Sequence, residues 1–342
     1  MKRPWLAPLV PLYAVGLAWR EMLLSRGWEP VRRLGWPVVS IGNISTGGSG
    51  KTPLAITLAK LLTEKGIGVD VLSRGYGRRS ALPLRVEFDG SAEHYGDEPL
   101  LIAQAAGVPV YVAPRRFDAG VLAETDASAN PKGPHDLVEN QIARVHILDD
   151  GFQHCQLHRD VDILLLDRID WKDTLLPAGN LREPLRAAKR ASIIAIPADD
   201  PAFGVGLRAW GWQGPLWRLH RRMQVPSVSG PVFAFCGIAR PEQFFAGLES
   251  AGLRFAGRSS FHDHRTYTAG DIQRLLAAAK TSGATALITT EKDAVRLGSL
   301  TASFPSDLPL ITARLTIGID NETAAIDDLL SRLQSPSARP TV

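Results

Sequence analysis

The sequence is poor in cysteine and has no uninterrupted apolar run long enough to cross a bilayer. Its 342 residues include only two cysteines, Cys155 and Cys236. Two thiols far apart in the chain do not form the disulfide framework of a small secreted domain, so a reducing compartment is expected. The most apolar stretch, residues 5–24, contains two prolines and reaches a charge at Arg20. A bilayer span needs about 20 apolar residues, so this stretch predicts neither a transmembrane helix nor a cleaved signal peptide.

An excess of charge is also missing from most of the chain. The net charge is +4, and residues 1–36 alone hold six basic and two acidic side chains. The rest of the chain is therefore neutral and has no interleaved basic and aromatic patch, which argues against a nucleic-acid partner. The N-terminal aromatic residues are Trp5, Tyr13, Trp19 and Trp28. With neighbouring arginines they suit a helix lying in a membrane interface, although packing on the protein's own core is the alternative.

The apolar pattern predicts an α/β fold with a parallel sheet. Residues 36–43 indicate a buried strand, 52–65 a helix and 68–73 a second strand, which together form a βαβ unit. Further strands are predicted at 108–113, 145–150, 161–167 and 191–197. The polar composition of residues 118–143 predicts a flap or a surface loop, and a disordered tail is expected after about residue 335.

The pattern starts again near residue 226. Strands are predicted at 231–238, 253–257, 285–290 and 308–313, with a helix at 269–281. We therefore predict three units: an N-terminal membrane-interface helix (1–35), a core domain (36–225) and a second, smaller α/β domain (226–342). Residues 214–225 are expected to be the linker between the last two units.

The stretch VVSIGNISTGGSGKTPLAI, residues 38–56, resembles a phosphate-binding loop. Its eight central residues are Ser45, Thr46, Gly47, Gly48, Ser49, Gly50, Lys51 and Thr52. They match G-x-x-x-x-G-K-[ST] except at the first position, where serine replaces glycine. The main-chain N–H groups would face the phosphates of ATP, Lys51 would neutralise their oxygens and the Thr52 hydroxyl would bind Mg²⁺. The core domain is therefore predicted to be a P-loop NTPase-like parallel-sheet domain.

Acidic residues at strand and helix boundaries are candidates for the chemistry. Asp149 and Asp150 end an apolar strand, as the second Mg²⁺ anchor of a P-loop site does, although a simple Asp-Asp-Gly turn and Asp167 are alternatives. Asp97, beside Glu98, is a candidate base that accepts a hydroxyl proton, or else merely begins a helix.

Histidines in two short stretches are further candidates. The stretch FHDH offers His262 and His264, either of which could orient an aspartate across a cleft. His154 and His158 have the spacing of zinc ligands, but no further ligand pair accompanies them.

Arginines after predicted strands suggest an anionic substrate. These are Arg74, Arg78, Arg79, Arg115, Arg116 and Arg182. A single arginine is usually a solvated surface charge, whereas several at the strand ends that face a P-loop are typical of phosphate binding.

Seven motifs in order resemble the tetraacyldisaccharide 4'-kinase family. They are GNISTGGSGKTP, LSRGYGR, GDEP, ILDDGFQH, LLPAGNLREP, FHDH and TTEKDAVRL. The resemblance covers the chain to about residue 300, and the family pattern also lacks the first P-loop glycine. It implies a kinase that transfers the ATP γ-phosphate to the 4'-hydroxyl of a tetraacyl glucosamine disaccharide 1-phosphate in lipid A biosynthesis. It also implies location at the cytoplasmic face of the bacterial inner membrane as a peripheral or monotopic protein.

The resemblance also assigns roles to residues. Asp97 would be the base, paired with His264, while Lys51 would serve ATP, and Thr52, Asp149 and Asp150 would bind Mg²⁺. The substrate contacts implied are Arg74, Tyr76, Gln153, His154 and Arg182. The expected partners are the lipid disaccharide and the inner-membrane surface, with no obligate protein partner.

The main alternative class is a P-loop GTPase or an ATP-driven chaperone. Such a switch would be expected to carry N/T-K-x-D for guanine, and TEKD at residues 290–293 places its lysine, Lys292, one residue late. We therefore expect a kinase that hydrolyses little ATP without its acceptor, because a closed cleft excludes water.

Overall fold

The computed structural model describes residues 3–129 and 142–334. The strands are β1 (Val38–Asn43), β2 (Gly68–Ser73), β3 (Leu84–Arg85), β4 (Val110–Val112), β5 (Arg144–Asp149), β6 (Val161–Leu165), β7 (Ile193–Pro197), β8 (Leu216–Gln224), β9 (Val232–Cys236), β10 (Phe255–Ser260), β11 (Ala286–Thr290) and β12 (Leu310–Ile319). The helices are α1 (Val10–Ser25), α2 (Lys51–Glu64), α3 (Ala92–Tyr95), α4 (Asp97–Ala106), α5 (Arg116–Ala129), α6 (Arg168–Trp171), α7 (Pro201–Ala209), α8 (Pro241–Ser250), α9 (Ala269–Thr281), α10 (Glu291–Leu297) and α11 (Glu322–Gln334). Short 3-10 helices cover Pro4–Leu9, Leu185–Arg190 and Gly298–Ser303.

The described strands form one twelve-stranded sheet in the order β10-β9-β11-β12-β8-β7-β6-β1-β5-β2-β4-β3. All neighbours are parallel except the β12–β8 and β3–β4 pairs, which are antiparallel. This architecture confirms the predicted α/β class with a mostly parallel sheet. In a parallel sheet the carboxyl ends of neighbouring strands meet at one edge, so residues that follow β1, β2, β4 and β5 are brought together there.

The strand β1 lies in the middle of the part of the sheet that the first half of the chain forms. It pairs with β5 on one side and with β6 on the other, and all six of its residues are buried. On one face of this part of the sheet, α2 buries Leu54, Leu58 and Leu62 completely. Their spacing of four residues places them on one side of the helix. Truncation of Leu58 to alanine should cost about 2–5 kcal/mol, because the cavity would lie in a fully packed core.

The second half of the chain continues the same sheet. The strand β12 pairs with β11 in the second half and, antiparallel, with β8 of the first half. The helix α11 then packs on the first half, since Ile326 and Leu329 belong to the same core cluster as β1 and α2. The boundary predicted between residues 225 and 226 falls just beyond β8, and the sheet runs across it.

Two segments differ from the prediction. Residues 214–225, expected to be a linker, contain β8, which hydrogen-bonds to strands on both sides. The polar stretch expected to be a loop contains the helix α5 up to residue 129. The remainder of that stretch, and the tail beyond residue 334, lie outside the described residues.

The N-terminal segment covers little of the protein's own core. No residue of α1 is buried, and Trp5, Leu12 and Trp19 are 60–72% exposed. The alternative of a helix packed on the core is therefore not what the structure contains. Within the described ranges, no helix combines the length and the apolar character required to traverse a bilayer.

Candidate functional site

The phosphate-binding loop connects β1 to α2 at the carboxyl edge of the sheet. Gly47 and Gly50 have φ angles of 111° and 91°, a region that favours glycine, and α2 begins at Lys51. A Cβ placed on Gly48 would meet no atom within 4 Å, so this part of the loop faces open space. Arg221 on β8 donates from Nη2 to the Ser49 carbonyl oxygen (2.5 Å) and so fixes the outer side of the loop.

Serine at the first loop position is compatible with this geometry. Ser45 does not belong to the residues with positive φ, so its position does not need glycine. The residue is buried, its Oγ accepts from Asn43 Nδ2 (3.3 Å), and its main chain bridges to Leu181. The next residue, Thr46, donates its N–H to the Asn180 carbonyl oxygen (2.8 Å). The NLREP segment therefore supports the loop where the usual glycine is absent.

Lys51 connects the loop to the turn that follows β5. Its Nζ lies 3.0 Å from Asn43 Oδ1 and 3.3 Å from Asp150 Oδ1. Arg182 reaches the other oxygen of Asp150 at 2.9 Å. Burial alone would raise the pKa of Asp150, but the charges of Lys51 and Arg182 lower it to about 2. Asp150 is thus a carboxylate whose charge is matched by the protein.

Asp149, in contrast to Asp150, has almost no hydrogen-bond or ion-pair partners for its carboxylate. It is 2% exposed, its Oδ2 has only a long contact to Ser73 Oγ (3.5 Å), and its Oδ1 has no hydrogen-bond partner among the described residues. Burial, followed by the negative charges of Glu98 and Asp150, raises the pKa of Asp149 to about 7. A buried carboxylate oxygen without a partner is costly unless a cation completes it, so the residue fits a metal anchor.

The turn after β5 is pressed against β1. A Cβ on Gly42 would lie 2.5 Å from Phe152 Cβ, and the Gly151 N–H donates to the Ile41 carbonyl oxygen (3.1 Å). Asp150 itself has a φ of 49°, a left-handed conformation that aspartate tolerates better than most residues. This close packing fixes both carboxylates beside Lys51. A simple turn without a ligand would not explain the unpartnered oxygen of Asp149.

Asp97, the first residue of α4, lies among cations from the second half of the chain. Arg296 donates from Nε to Asp97 Oδ2 (2.6 Å), and His264 Nδ1 lies 3.2 Å from the same oxygen. Lys292 Nζ is 3.8 Å from Asp97 and 2.9 Å from Glu98. The structure therefore brings His264 to Asp97, while His262 has no recorded contact with it.

These contacts decide the protonation of Asp97. Burial would raise its pKa, but the hydrogen bond from His264 and the charges of Lys292 and Arg296 hold the pKa well below the usual range of a carboxyl. Asp97 is thus ionised at every physiological pH. A carboxylate this acidic accepts a proton weakly, so it can orient a hydroxyl group better than it can remove its proton in the ground state.

The TEKD motif has a structural explanation that is unrelated to guanine. Its lysine, Lys292, is engaged by Glu98 and Asp97. Its aspartate, Asp293, is fully buried and accepts hydrogen bonds from the Gly237 N–H (3.1 Å), the Tyr267 hydroxyl (3.0 Å) and the Thr290 hydroxyl (2.7 Å). Neither side chain is free to read a base.

Two of the residues predicted to contact the acceptor, Gln153 and Arg182, lie beside the P-loop and contact α1. Gln153 donates from Nε2 to the Asn43 carbonyl oxygen (2.8 Å) and accepts from Arg182 (3.3 Å). The helix α1 reaches the same pair: Arg20 donates to the Gln153 carbonyl oxygen, and the Tyr13 hydroxyl donates to the Arg182 carbonyl oxygen (2.9 Å). The N-terminal helix is therefore attached to the rim of the site by polar contacts.

His154 lies in a positively charged environment. Burial, followed by the charges of Arg116, Arg159, Arg20 and Arg74, lowers its pKa to about 4. The ring is therefore neutral at physiological pH. His158 contacts Asp160 (3.3 Å), and in the described part of the chain no group of three or more His, Cys, Asp or Glu side chains could hold a metal by itself.

The loop after β2 presents Tyr76 to the same cleft. The Tyr76 ring is 63% exposed, and its centroid lies 5.2 Å from that of His264. A Cβ on Gly96 would lie 3.0 Å from Gly75 Cα, so this loop passes directly over the start of α4. Arg74 is exposed in this loop. Tyr76 and His264 thus border the space in front of Asp97.

The sequence did not indicate the roles of two residues of the site, and it did not single out a third. Lys292 and Arg296 are on α10 and are 195 and 199 positions from Asp97, so no local spacing indicates the contact. Apart from the resemblance of TTEKDAVRL to a family motif, the local signal is an alternation of charge that any exposed helix could carry. The third residue, Arg116, could not be distinguished by sequence from its neighbour Arg115.

Comparisons with known proteins agree with this geometry. The family model described as Tetraacyldisaccharide-1-P 4'-kinase matches residues 2–334. A tetraacyldisaccharide 4'-kinase of Koribacter versatilis is 40% identical over 338 residues, covering 96% of this chain and 98% of the relative. One of Geobacter metallireducens is 39% identical over 319 residues, covering 86% and 88%. The crystal structure of LpxK from Aquifex aeolicus in complex with ATP superposes with a TM-score of 0.73 at 31% identity, covering 96% of this chain and 98% of that one.

Proposed function

Because this chain belongs to the tetraacyldisaccharide-1-P 4'-kinase family, we propose that it transfers the γ-phosphate of ATP to the 4'-hydroxyl of a tetraacyl glucosamine disaccharide 1-phosphate. The protein is then an ATP-dependent kinase of lipid A biosynthesis. The observation that carries the proposal is the family match, which extends over residues 2–334. The ATP complex of the similar Aquifex structure supports the choice of phosphate donor.

The nucleotide phosphates would lie against the P-loop. The N–H groups of Gly47 to Thr52 would surround them, and Lys51 would neutralise their oxygens, as in other loops of this sequence pattern. Asn43 and Asp150 hold the ammonium group of Lys51 in readiness. A lysine already positioned loses less side-chain freedom when the phosphate arrives.

Magnesium would be held by Asp149 and by the Thr52 hydroxyl, with Asp150 nearby. The unpartnered Oδ1 of Asp149 supports this assignment, since Mg²⁺ prefers one or two carboxylates together with phosphate oxygens. When bound, the ion would neutralise charge on the transferring phosphoryl group. A bound cation would also return the pKa of Asp149 from about 7 towards its usual range, so that the carboxylate is ionised.

Asp97 would receive the acceptor hydroxyl. Its ion pairs with Arg296 and His264 fix the carboxylate, and a fixed carboxylate can hold the 4'-hydroxyl in line with the phosphorus. Phosphoryl transfer passes through a loose transition state in which the nucleophile is deprotonated late, so a weak base in the right place is sufficient. The hydroxyl proton would move to Asp97 as the new bond forms, with His264 maintaining the orientation.

The acceptor would be contacted by Arg74, Tyr76, Gln153, His154 and Arg182. Tyr76 supplies an exposed ring on which a sugar face can pack, and the arginines suit an anionic glycolipid. The neutral state of His154 lets one ring nitrogen accept a hydrogen bond from a sugar hydroxyl.

The N-terminal segment would rest on the cytoplasmic face of the inner membrane. Trp5, Leu12 and Trp19 are exposed, and basic residues flank them, which is the composition of an interfacial helix. The contacts of Tyr13 and Arg20 with the site support a role in delivering the lipid to the rim. The protein is thus a peripheral or monotopic enzyme in this proposal.

Phosphotransfer tests the function directly. Purified protein, labelled ATP, Mg²⁺ and the tetraacyl disaccharide 1-phosphate in detergent should give a labelled 4'-phosphorylated lipid. Without the lipid, we expect little ATP hydrolysis. Robust acceptor-free turnover with a preference for GTP would instead indicate a nucleotide-driven switch.

Membrane attachment is tested by exchanging the exposed residues only. The combined variant Trp5→Ser, Leu12→Ser and Trp19→Ser should release the protein from sedimented phosphatidylethanolamine and phosphatidylglycerol vesicles, because it removes apolar surface while Tyr13 and Arg20 remain. Val205→Ser, at a residue 70% exposed on α7, is the matched control and should sediment as the wild type. Unchanged sedimentation of the triple variant would contradict the proposal.

A further inference from the structure

Two adjacent arginines follow β4, and their environments differ completely. Arg115 is 70% exposed and pairs with Asp118 (2.9 Å), the ordinary arrangement of a surface charge. Arg116, the first residue of α5, is only 7% exposed. Its Nη1 reaches the Pro114 carbonyl oxygen (3.3 Å), whereas its Nε has no hydrogen-bond partner within the described ranges.

Arg116 is therefore a buried cation without a counter-ion of its own. No described carboxylate lies within ion-pair distance of its guanidinium group. A buried charge is expensive unless it is paired, so such a residue is expected to meet an anion that comes from outside the chain. Burial, followed by the charge of Arg74, lowers the pKa of Arg116 to about 10, which leaves the group charged at physiological pH.

The topology places Arg116 at the reacting end of the site. Its strand β4 lies next to β2, and β2 lies next to β5, which ends at Asp149. The electrostatic neighbours of Arg116 are Arg74, Asp150 and Asp149, and its charge also acts on His154. The guanidinium group therefore faces the region where the terminal phosphate of the nucleotide would meet the carboxylates.

We propose that Arg116 binds the terminal phosphoryl group of ATP and stabilises the charge on its non-bridging oxygens during transfer. This inference rests on the proposed function and deepens it. In the step, the bond from the γ-phosphorus to the β,γ-bridging oxygen breaks and ADP leaves with the electron pair. The bond from the acceptor oxygen to phosphorus forms, and the hydroxyl proton passes to Asp97. Arg116 keeps its proton throughout and contributes fixed donors to the three equatorial oxygens.

The acceptor's own phosphate is the competing ligand for Arg116. It lies at the other end of the disaccharide, separated from the 4'-hydroxyl by two sugar rings. A side chain beside Asp149 and Asp150 is at the 4' end when the acceptor is bound productively, so the terminal phosphoryl group is the anion that it meets.

Nucleotide binding tests the proposal without any acceptor. We would titrate wild type, Arg116→Met, Arg116→Lys and Arg115→Met with Mg²⁺ and either ADP or a non-hydrolysable ATP analogue. For Arg116→Met the Kd of the ATP analogue should rise by at least about tenfold, while the Kd of ADP stays within twofold. Arg115→Met should bind both ligands as the wild type does, and Arg116→Lys should lie between the two.

Kinetics with the glycolipid acceptor complete the test. The kcat of Arg116→Met should fall by about 10²–10³-fold, with the KM for the acceptor changed little. A rise in the KM for the acceptor alone, with an unchanged ratio of ATP-analogue to ADP affinity, would overturn the proposal and assign Arg116 to the acceptor's phosphate. An unchanged ratio together with a kcat within threefold of wild type would overturn it as well.

Two controls keep the outcome interpretable. If Arg116→Met does not fold, Arg116→Lys retains the charge and most of the volume, and a loss of ATP-analogue preference in that variant alone decides the question. If wild-type protein fails to phosphorylate the glycolipid, the proposed function is wrong, but the discrimination between ATP analogue and ADP still reports on Arg116.

Discussion

Two buried carboxylate regions of this protein have opposite charge balances. Around Asp97, the protein supplies Arg296, Lys292 and His264, so one carboxylate is surrounded by an excess of donors. Around Asp149, burial and two neighbouring acids leave a carboxylate oxygen unpartnered. The difference teaches that the carboxylate of the first region is balanced by the protein alone, while that of the second is left to be balanced by a ligand, which in the proposed function is the magnesium ion that accompanies the nucleotide.

The largest expected effect comes from Asp149→Asn. The kcat should fall on the order of 10³-fold, because the carboxylate that we propose as the Mg²⁺ anchor would be lost. The same change should raise the free energy of unfolding of the nucleotide-free protein by about 1–2 kcal/mol, since it removes an unpartnered buried acid. Urea denaturation and steady-state kinetics measure the two effects. A variant that is less active and also less stable would contradict the view that the buried carboxylate of Asp149 destabilises the nucleotide-free protein.

Asp97→Asn should reduce kcat by about 10²–10³-fold and leave ATP binding unchanged. In contrast to the change at Asp149, it should lower the free energy of unfolding by about 2–4 kcal/mol, because the buried Arg296 would lose the nearest of its carboxylate partners. Kinetics, nucleotide titration and urea denaturation report the three quantities. A near-normal kcat would remove Asp97 from the acceptor site.

Arg296→Met tests how the second half of the chain controls Asp97. The positive charge of Arg296 helps to lower the pKa of Asp97, so its removal should raise that pKa and move the acid limb of the kcat profile to higher pH. Because a depressed carboxyl pKa stabilises the folded state above the unfolded pKa, that contribution to stability should shrink at neutral pH. Arg314→Met, at an exposed arginine paired with Glu291, is a matched control that should leave the acid limb in place.

The smallest effect is expected at a third buried charge cluster, which is balanced and lies away from the site. His146 is fully buried, 2.6 Å from Asp70 and 3.3 Å from Glu124. Burial would lower its pKa, but the two acids raise it to about 9, above the usual range of a histidine. Its stabilising contribution is therefore complete below about pH 6.5 and is lost as the pH rises towards 9.

We expect the free energy of unfolding to fall by about 2 kcal/mol across that interval, with kcat at neutral pH unaffected by the cluster. His146→Gln should flatten the dependence on pH. Urea denaturation at pH 6, 7.5 and 9 measures it, and an equal slope in the variant would show that other groups are responsible.

Much of the fold and the site could be predicted from sequence because the signals are local. The P-loop, the strand that ends at Asp149 and the acidic start of α4 each depend on residues close together in the chain. The strand β8 was missed for a physical reason. Trp217 and Leu219 alternate as a strand should, but Arg221 takes the next inward position in order to bind Ser49, which breaks the apolar pattern.

The remaining features depend on contacts between residues far apart in the sequence, and no local residue spacing indicates such contacts. The cations around Asp97 come from a helix 195 residues or more along the chain, and the N-terminal helix meets Gln153 and Arg182 only after folding. Arg116 differs from Arg115 in being buried, and the sequence, which shows two adjacent arginines, does not indicate which of them is buried. The roles assigned to the site residues and the three-unit division of the chain stay predictions.

The unbroken sheet has a consequence for how the enzyme works. A hydrogen-bonded ladder passes from β11 through β12 and β8 to β7, so the two halves are connected by paired strands and not only by a loop. The cations on α10 are thus already held against α4 at rest. The acceptor carboxylate therefore already has its cationic neighbours before any ligand binds, and such preorganised charge needs little rearrangement when the reaction begins.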